Sequence, residues 1–411
     1  MGIHNNERGA VSLFIVIFAA LLITVVTVGF IRLMIADQQQ ATNNDLSQSA
    51  YDSAQAGVED AKRALLRYQN ICSTGDPIAC SVAYNDITAA SSANKCNQGL
   101  VYIVNPSELS KNEVPIINEN GSAALSQAYT CVTIAPETDD YLGTLPANGS
   151  KIIPIKSTSA VSSIVIEWYD KSNITNTNLS VSLLPFNTIP ISGNPLILQA
   201  PLYNQTSSGW GANRPSIMRT QLMQFGSSFN LTDFDNTNTA GESNANTLFL
   251  YPTGTTGSTT PVVNDTFLFS AKDARYSGSG APVPVACRGS VGTGGYACTV
   301  TLNLPTPVGG IGPNGRTAYL RLTPLYNASS YRVTLKQASG APATFNAVQP
   351  AIDSTGRAND LFRRVSTRVE LIDTTFSYPD ATVDSTGSLC KNFAVTARDI
   401  DYTTSGPVCT P

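Results

Sequence analysis

The chain is almost without histidine, since one of its 411 residues is histidine and that residue is His4. A body without histidine has no Ser-His-Asp or Cys-His catalytic group and no histidine metal site. The sequence also has no P-loop, and no GxGxxG motif that is followed by a helical pattern. These absences exclude the commonest hydrolase, nucleotide-binding and metalloenzyme sites. We therefore predict that the protein is not an enzyme and has no catalytic residues, no cofactor and no metal site.

Charged residues are scarce as well. They make up 13% of the chain, against roughly 25% in typical soluble domains, and the net charge of −4 is spread along it. Nucleic-acid binding needs a clustered basic face, so we predict no nucleic-acid partner. Hydrophobic residues make up 42%, which is ample for packed cores, and the length fits two or more domains.

Pairs of acidic residues are the remaining candidates for chemistry. Two pairs have a spacing that could serve acid/base catalysis or calcium binding: Asp139–Asp140, and Asp233 with Asp235. Acidic residues in solvated turns are the commoner explanation. The run from Asp233 begins like a calcium-binding loop. Thr237 and Asn238 then stand where an EF-hand requires Asp or Asn followed by Gly. The pattern favours ordinary turns.

A long apolar run lies near the N-terminus. Ala10 to Ile31 form 22 uncharged positions between Arg8 and Arg32. At 1.5 Å rise per residue, a helix of this length spans about 33 Å, which is enough to cross the hydrocarbon core of a bilayer. We predict that residues 10–31 are a transmembrane helix and that the large polar body after it is exported.

The helical pattern continues beyond the membrane segment, through residues 32–70. Apolar residues recur there at steps of three and four and form one stripe: Leu46, Ala50, Ala54, Val58, Ala61, Leu65 and Tyr68. Most of this stripe is small, so another element can approach the helix closely. We expect a β-sheet to pack against it, although any amphipathic helix lying on its own domain shows the same pattern.

The residues before the apolar run do not form an ordinary secretory signal. The apolar core is longer than the roughly 7 to 15 residues of such a signal, and no clean cleavage site follows it. A short polar leader that ends in Glu7-Arg8-Gly9, directly before an uninterrupted apolar helix, resembles the class III signal of type IV pilins and pseudopilins. The resemblance implies that residues 1–9 are a leader and that a prepilin peptidase cuts between Gly9 and Ala10. A signal anchor that is never cut is the alternative.

The helix also resembles a subgroup of that family. Residues 54–61, AQAGVEDA, resemble the A-E-A-G-hydrophobic-E-x-A run of PilX-type minor pilins, with Gln55 where that family usually has Glu. Major pilins carry a glutamate at the fifth mature position, thought to neutralise the N-terminal amine of a neighbouring subunit; here that position is Phe14. A buried ammonium without its partner is costly, which disfavours repetitive stacking. This departure, and a mature length of 411 minus 9, or 402 residues, favour a minor subunit at or near the filament tip.

The body after residue 71 is rich in turn residues and in short strand-like segments. The predicted strands are 99–104, 129–134 and 163–169, which we expect to cover the helix, and 247–251, 298–302, 318–322 and 331–335; 217–225 is ambiguous. The run 351–365 is predicted to be a hairpin that turns at Gly356. We predict an α+β fold: a long N-terminal helix packed on an antiparallel sheet, with an additional β-sandwich-like domain. The expected regions are 71–191 for a pilin-like head, 192–342 for the added domain, and 343–411 for C-terminal strands and a disulfide loop.

The cysteines all follow the apolar helix. There are eight: Cys72, Cys80, Cys96, Cys131, Cys287, Cys298, Cys390 and Cys409. An even number in an exported chain indicates disulfides, and we prefer pairing between neighbours: Cys72–Cys80, Cys96–Cys131, Cys287–Cys298 and Cys390–Cys409. Zinc binding is the weaker alternative, since no CxxC or HxxxH spacing occurs. Cys390 and Cys409 would close a loop similar to the disulfide-bounded loop of pilins.

The resemblance implies a filament subunit, with the membrane, a prepilin peptidase and other pilins as partners. We expect the protein in the inner or cytoplasmic membrane before assembly and at the cell surface or in a pilus afterwards, acting in assembly priming or adhesion. The alternative is a permanently anchored surface-binding protein. Trp210, between two glycines in a polar stretch, is the candidate for an exposed contact with a cell-surface or glycan ligand.

Overall fold

The structure, a computed structural model, describes residues 8–73, 76–89, 96–104, 113–117, 126–183, 210–225, 245–254, 266–268, 283–291, 295–308 and 317–371. The described chain divides into two compact units. One comprises the described parts of Met1–Ala135 and Ile352–Arg368, and the other those of Pro136–Ala351 and Val369–Pro411. Helices and several β-sheets are both present, so the α+β class is confirmed.

The first unit is organised around helix α1, Arg8–Ser73, which is 66 residues long and unbroken. At 1.5 Å per residue it is about 100 Å long. Residues 13–45 are exposed, while Ala50, Ala54, Val58, Ala61 and Leu65 are buried on one face. The predicted continuation of the apolar helix into a stripe of small buried residues is therefore confirmed.

A second helix, α2 (Pro77–Ala89), follows directly and was not predicted. Asp76 caps it, because its Oδ1 accepts hydrogen bonds from the backbone N–H groups of Ile78 (2.9 Å) and Ala79 (3.2 Å). Pro77 occupies the first helical position, where its missing N–H costs nothing. The expectation of turns and short strands directly after residue 71 is therefore wrong over Pro77–Ala89.

The described ranges contain fifteen strands. They are β1 (Val114–Pro115), β2 (Ala128–Thr138), β3 (Asp140–Leu145), β4 (Lys151–Ile155), β5 (Val161–Asp170), β6 (Ile217–Phe225), β7 (Ala245–Thr253), β8 (Thr266–Leu268), β9 (Val283–Ala286), β10 (Tyr296–Val308), β11 (Thr317–Leu325), β12 (Ser329–Lys336), β13 (Pro342–Ala343), β14 (Phe345–Ala358) and β15 (Leu361–Arg368). The ambiguous segment 217–225 is thus a strand.

A four-stranded sheet in the order β1-β2-β14-β15 accompanies α1. The strand predicted over 99–104 is wrong, since Gln98–Leu100 form a 3₁₀ helix followed by a turn. Asn97 explains the difference. It adopts a left-handed conformation (φ 67°), and its side-chain oxygen accepts a hydrogen bond from the backbone N–H of Val132 at 2.8 Å. The backbone N–H of Asn97 also donates to the carbonyl oxygen of Val132 at 3.0 Å, so the segment bonds to β2 through this one residue rather than as a strand, and Leu100 is fully buried.

The predicted turn at Gly356 is also wrong. β14 runs through Gly356 to Ala358, and the chain reverses at Asn359 and Asp360 before β15 begins. Asn359 has a φ of 49°, a left-handed conformation that asparagine adopts more readily than most residues. Gly356 therefore lies within a strand, and its role is described below.

The second unit contains the other two sheets. The six-stranded sheet has the order β13-β12-β5-β10-β8, with β3 also paired to β12, and the five-stranded sheet has the order β4-β11-β6-β7-β9. Two strand pairs, β10 with β8 and β7 with β9, are parallel. Buried residues of both sheets, among them Ile164, Trp168, Leu222 and Leu320, belong to one hydrophobic core. The predicted strand 163–169 lies in β5 of this unit, so its expected place over the helix is wrong.

The structure forms three of the four predicted disulfides. They are Cys72–Cys80, Cys96–Cys131 and Cys287–Cys298. Cys72–Cys80 joins the end of α1 to the first turns of α2, and Cys287–Cys298 connects the residue after β9 to β10. The predicted pair Cys390–Cys409 lies outside the described residues.

Removing Cys96–Cys131 should cost more stability than removing Cys72–Cys80. The first bond closes a sequence separation of 35 residues and the second one of 8. Loop-closure entropy then predicts that the free energy of unfolding falls by about 4 kcal/mol without Cys96–Cys131 and by about 2.5 kcal/mol without Cys72–Cys80. Thermal unfolding of the full-length double variants Cys96→Ser/Cys131→Ser and Cys72→Ser/Cys80→Ser in detergent measures the difference, and the reverse order would contradict it.

Candidate functional site

The N-terminal part of α1 presents an unpacked apolar surface. We call residues 13–35 of α1 the anchor segment. Its large hydrophobic side chains are between 46% (Val26) and 74% (Phe14) exposed. Within the described residues, α1 is the one helix that is long and apolar enough to cross a membrane. This surface is compatible with a single-pass membrane anchor.

Two polar side chains of the anchor segment, those of Thr24 and Thr27, suit a lipid environment. Thr24 Oγ1 donates a hydrogen bond to the carbonyl oxygen of Ala20 (2.5 Å), and Thr27 Oγ1 donates to that of Ile23 (2.7 Å). Both hydroxyl groups are therefore satisfied inside the helix. An unsatisfied donor in hydrocarbon would cost roughly several kcal/mol. The hydrogen bonds within the helix avoid that cost for both threonines.

The C-terminal part of α1 contacts its sheet through two glycines, and we call this contact the helix–sheet junction. A Cβ atom on Gly356 of β14 would overlap the carbonyl oxygen of Ala50 and the backbone nitrogen of Ala54. A Cβ atom on Gly57 of α1 would overlap Ser354 Oγ and lie 2.8 Å from Val132 Cγ2. The strand backbone at Gly356 therefore rests directly on the helix backbone.

A hydrogen bond fixes the helix next to this contact. The buried Tyr129 hydroxyl of β2 donates to Asp60 Oδ2 at 2.8 Å, and Arg63 donates to Asp60 Oδ1 at 3.0 Å. Burial and, next, the hydrogen bond to Asp60 raise the pKa of Tyr129 well above its usual value. Arg363 Nε of β15 also donates to Ser47 Oγ of α1 at 2.7 Å. The junction thus combines backbone packing with a few specific polar contacts.

Alkaline pH should weaken the junction through Tyr129. Its pKa is higher in the folded than in the unfolded chain, so as pH rises the unfolded chain loses the phenol proton first. The stabilisation is complete below about pH 10 and falls above it, by about 1.4 kcal/mol per pH unit. We expect Tyr129→Phe to be less stable than wild type at neutral pH and this difference to shrink between about pH 10 and pH 11.

Urea unfolding of the full-length chain across this pH range measures the effect. Tyr102→Phe removes an exposed phenol of the same unit and is the matched control. We expect Tyr102→Phe to lose folding stability above about pH 10 to the same extent as wild type. A constant difference between wild type and Tyr129→Phe at all pH values would contradict the assignment.

Trp210 is not the exposed contact that its polar, glycine-flanked sequence predicts. It is 5% exposed, and its Nε1 donates to the carbonyl oxygen of Pro215 at 2.7 Å. Its ring stacks on Tyr326 (4.9 Å between centroids) and meets Tyr251 edge-on (5.7 Å). The aromatic partners are distant in sequence, so local composition does not reveal them. The prediction of a surface contact at Trp210 is wrong.

The remaining predicted site residues are only partly described. Gly9 and Ala10 lie in the first turn of α1, while His4, Asp233 and Asp235 lie outside the described residues. Asp139 is exposed, and the described residues contain no cluster of three or more potential metal ligands around it or elsewhere.

The small-residue face of α1 in the junction was predicted from the sequence, but the residues that meet it were not. Gly57 lies in the run 54–61 noted above, Gly356 was predicted to be a turn, and no role was predicted for Tyr129 or Asp60. No protein family model, curated protein or solved structure matches the chain.

Proposed function

We propose that this chain is a minor, PilX-like type IV pilin subunit that acts in assembly priming or adhesion at or near the tip of a filament. The observation that carries the proposal is α1 itself. One unbroken helix has an exposed apolar first part and a second part that rests on its sheet through glycine and alanine. A subunit that is stored in a membrane and later packs by its helix into a filament needs both parts on one rigid element.

The proposed sequence of events follows from the anchor segment. Before assembly, its side chains lie among lipid tails, with the body on the outer side of the inner or cytoplasmic membrane. A prepilin peptidase removes residues 1–9 after Gly9. The helix then exchanges lipid for the helices of other pilin subunits, and this exchange keeps its apolar surface away from water.

The second unit is the proposed surface-exposed head. We propose that its two sheets, which share one core, form a β-sandwich-like domain that presents loops to the outside. Such a head matches a role in contact rather than in catalysis. Cell-surface or glycan ligands are the proposed partners, in addition to the membrane and other pilins.

Phe14 supports a second candidate, a permanently anchored binding protein that does not enter a filament. After cleavage Phe14 occupies the fifth mature position and provides no carboxylate for a neighbour's N-terminal amine.

A tip subunit stacks on other subunits on one side only, so it tolerates this loss better than a shaft subunit does. Within the filament proposal, Phe14 therefore favours a rare tip subunit over an abundant shaft subunit.

Fractionation tests the proposal. We expect wild-type protein in small amounts in filaments sheared from cells, and we expect Phe14→Glu to increase that amount because the new carboxylate pairs with a neighbour's amine. Leu13→Glu adds the same charge one position away and is the matched control, with no increase expected. Wild-type protein that is confined to the membrane fraction would contradict filament entry and favour the anchored alternative.

A further inference from the structure

The anchor segment contains a single charged residue, Arg32. The exposed apolar surface continues beyond it, since Leu33, Met34 and Ile35 are 62%, 68% and 50% exposed. None of the ion pairs or hydrogen bonds within the described ranges involves the Arg32 side chain. A charge without a partner is costly among lipid tails or packed apolar helices. Arg32 is therefore the position at which the proposed membrane anchor requires a partner.

The helix itself offers Arg32 no carboxylate. Side chains three and four positions away can meet it on a helix, and they belong to Val28, Gly29, Ile35 and Ala36. Residues 10–36 contain no aspartate or glutamate, and Asp37, five positions on, lies on another face. A second copy packed in register would place one arginine beside the other, and like charges repel. A different chain therefore fits better than a second copy.

Lipid phosphate is the other acceptor in reach of a membrane helix, and the direction of α1 disfavours it. Side chains of an α-helix lean toward its N-terminus and cover the turn that precedes their own Cα. Arg32 lies near the C-terminal end of the anchor segment. The lean carries its guanidinium group back along the apolar segment, away from the head groups that would lie beyond Ile35.

Small residues flank Arg32 on the same face of the helix. Gly29 precedes it by three positions, and Ala36 follows it by four. A Cβ atom added to Gly29 would have no atom within 4 Å, so the surface there is open. Small residues let a second membrane helix approach closely, and a carboxylate on that helix can then reach the guanidinium group. We call Gly29, Arg32 and Ala36 the basic notch.

We propose that the basic notch binds a transmembrane helix of another protein that carries one aspartate or glutamate among its apolar residues. The two charges neutralise each other, which removes the cost of each in a medium without water. The inference rests on the proposed function, because it names the kind of helix that replaces lipid around the anchor segment. Pairing within a bilayer does not require filament entry. Fractionation and the vesicle experiment below therefore report separate failures.

Energy transfer in phosphatidylcholine vesicles tests the notch, with the labelled full-length protein and a labelled synthetic leucine-alanine helix as the probe. The probe carries one glutamate at the depth of Arg32, and its counterpart carries glutamine there. We expect the glutamate helix to associate at least about threefold more strongly, the size of a polar contact between membrane helices. Arg32→Leu should abolish this preference, and Arg32→Lys should retain part of it because the charge remains.

Gly29→Leu keeps the charge but fills the notch, so it should weaken association with the glutamate helix. Arg288→Leu removes an exposed arginine of the second unit and is the matched control, with no change expected. Equal association of the two helices, or a preference that survives Arg32→Leu, would overturn the notch. A preference that disappears when phosphatidylglycerol replaces part of the phosphatidylcholine would assign Arg32 to lipid phosphate instead. Self-association of wild type that Arg32→Leu abolishes would assign it to a second copy.

Discussion

Replacing Gly356 by alanine should separate α1 from its sheet and destabilise the first unit by about 3 kcal/mol or more. The added Cβ would overlap the backbone of α1 at Ala50 and Ala54 and would lie 2.8 Å from the carbonyl carbon of Ser53. Inserting atoms into a well-packed core costs about 1–3 kcal/mol when side chains can shift. Here the obstacle is backbone on both sides, so the helix as a whole has to move. A loss of this size is a large fraction of the roughly 5–15 kcal/mol by which proteins are stable.

Two other glycines provide graded controls for this prediction. At Gly57 the new Cβ would meet side chains, Ser354 and Val132, which can rotate, so we expect Gly57→Ala to cost less than Gly356→Ala. Gly289 has no atom within 4 Å of the added Cβ, and Gly289→Ala should cost little or nothing. Urea unfolding, with hydrogen exchange of the α1 amides, measures all three variants. Equal stability of Gly356→Ala and Gly289→Ala would contradict the direct backbone contact.

Replacing Gly9 by valine should abolish processing and, with it, filament entry. The proposed peptidase cuts after a residue without a side chain, and a branched side chain occupies the space at the bond to be cut. We expect the variant to keep residues 1–9, to accumulate in the membrane and to be missing from sheared filaments. The experiment requires the native host or co-expression with a prepilin peptidase.

Gly2→Val places the same substitution elsewhere in the leader and is the matched control for Gly9→Val. It should be processed and should reach filaments like wild type. If Gly9→Val is shortened as efficiently as Gly2→Val, the cleavage site is wrong. If it keeps its leader and still appears in sheared filaments, processing is not required for assembly.

The parts of the fold that depend on local pattern were predicted well. The length of α1, its exposed apolar part and its buried stripe of small residues follow from hydrophobicity and from the spacing of Ala50, Ala54 and Ala61. Alternating segments such as 331–335 lie in strands as expected. Helix α2 was missed although Asp76 and Pro77 carry a recognisable start signal, a capping side chain followed by proline. The apolar residues of α2 recur with only a weak helical period, so the pattern did not predict a helix there.

The parts that depend on distant residues were predicted poorly. The sequence around Gly356 reads as a turn, because glycine after Asp-Ser-Thr commonly marks one. The glycine is needed instead for contact with Ala50, about 300 residues earlier. Trp210 lies between two glycines, a setting typical of exposed loops, yet Tyr251 and Tyr326 cover it. Neither contact has a signal in the neighbouring sequence.

We propose that α1 is first a processed membrane anchor and then part of a filament. Mass spectrometry of the N-terminal peptide from sheared filaments and from membranes tests it most directly. We predict that the filament fraction contains the protein and that its chain begins at Ala10. A protein that begins at Met1 or Gly2 and is found only in the membrane fraction would contradict the claim.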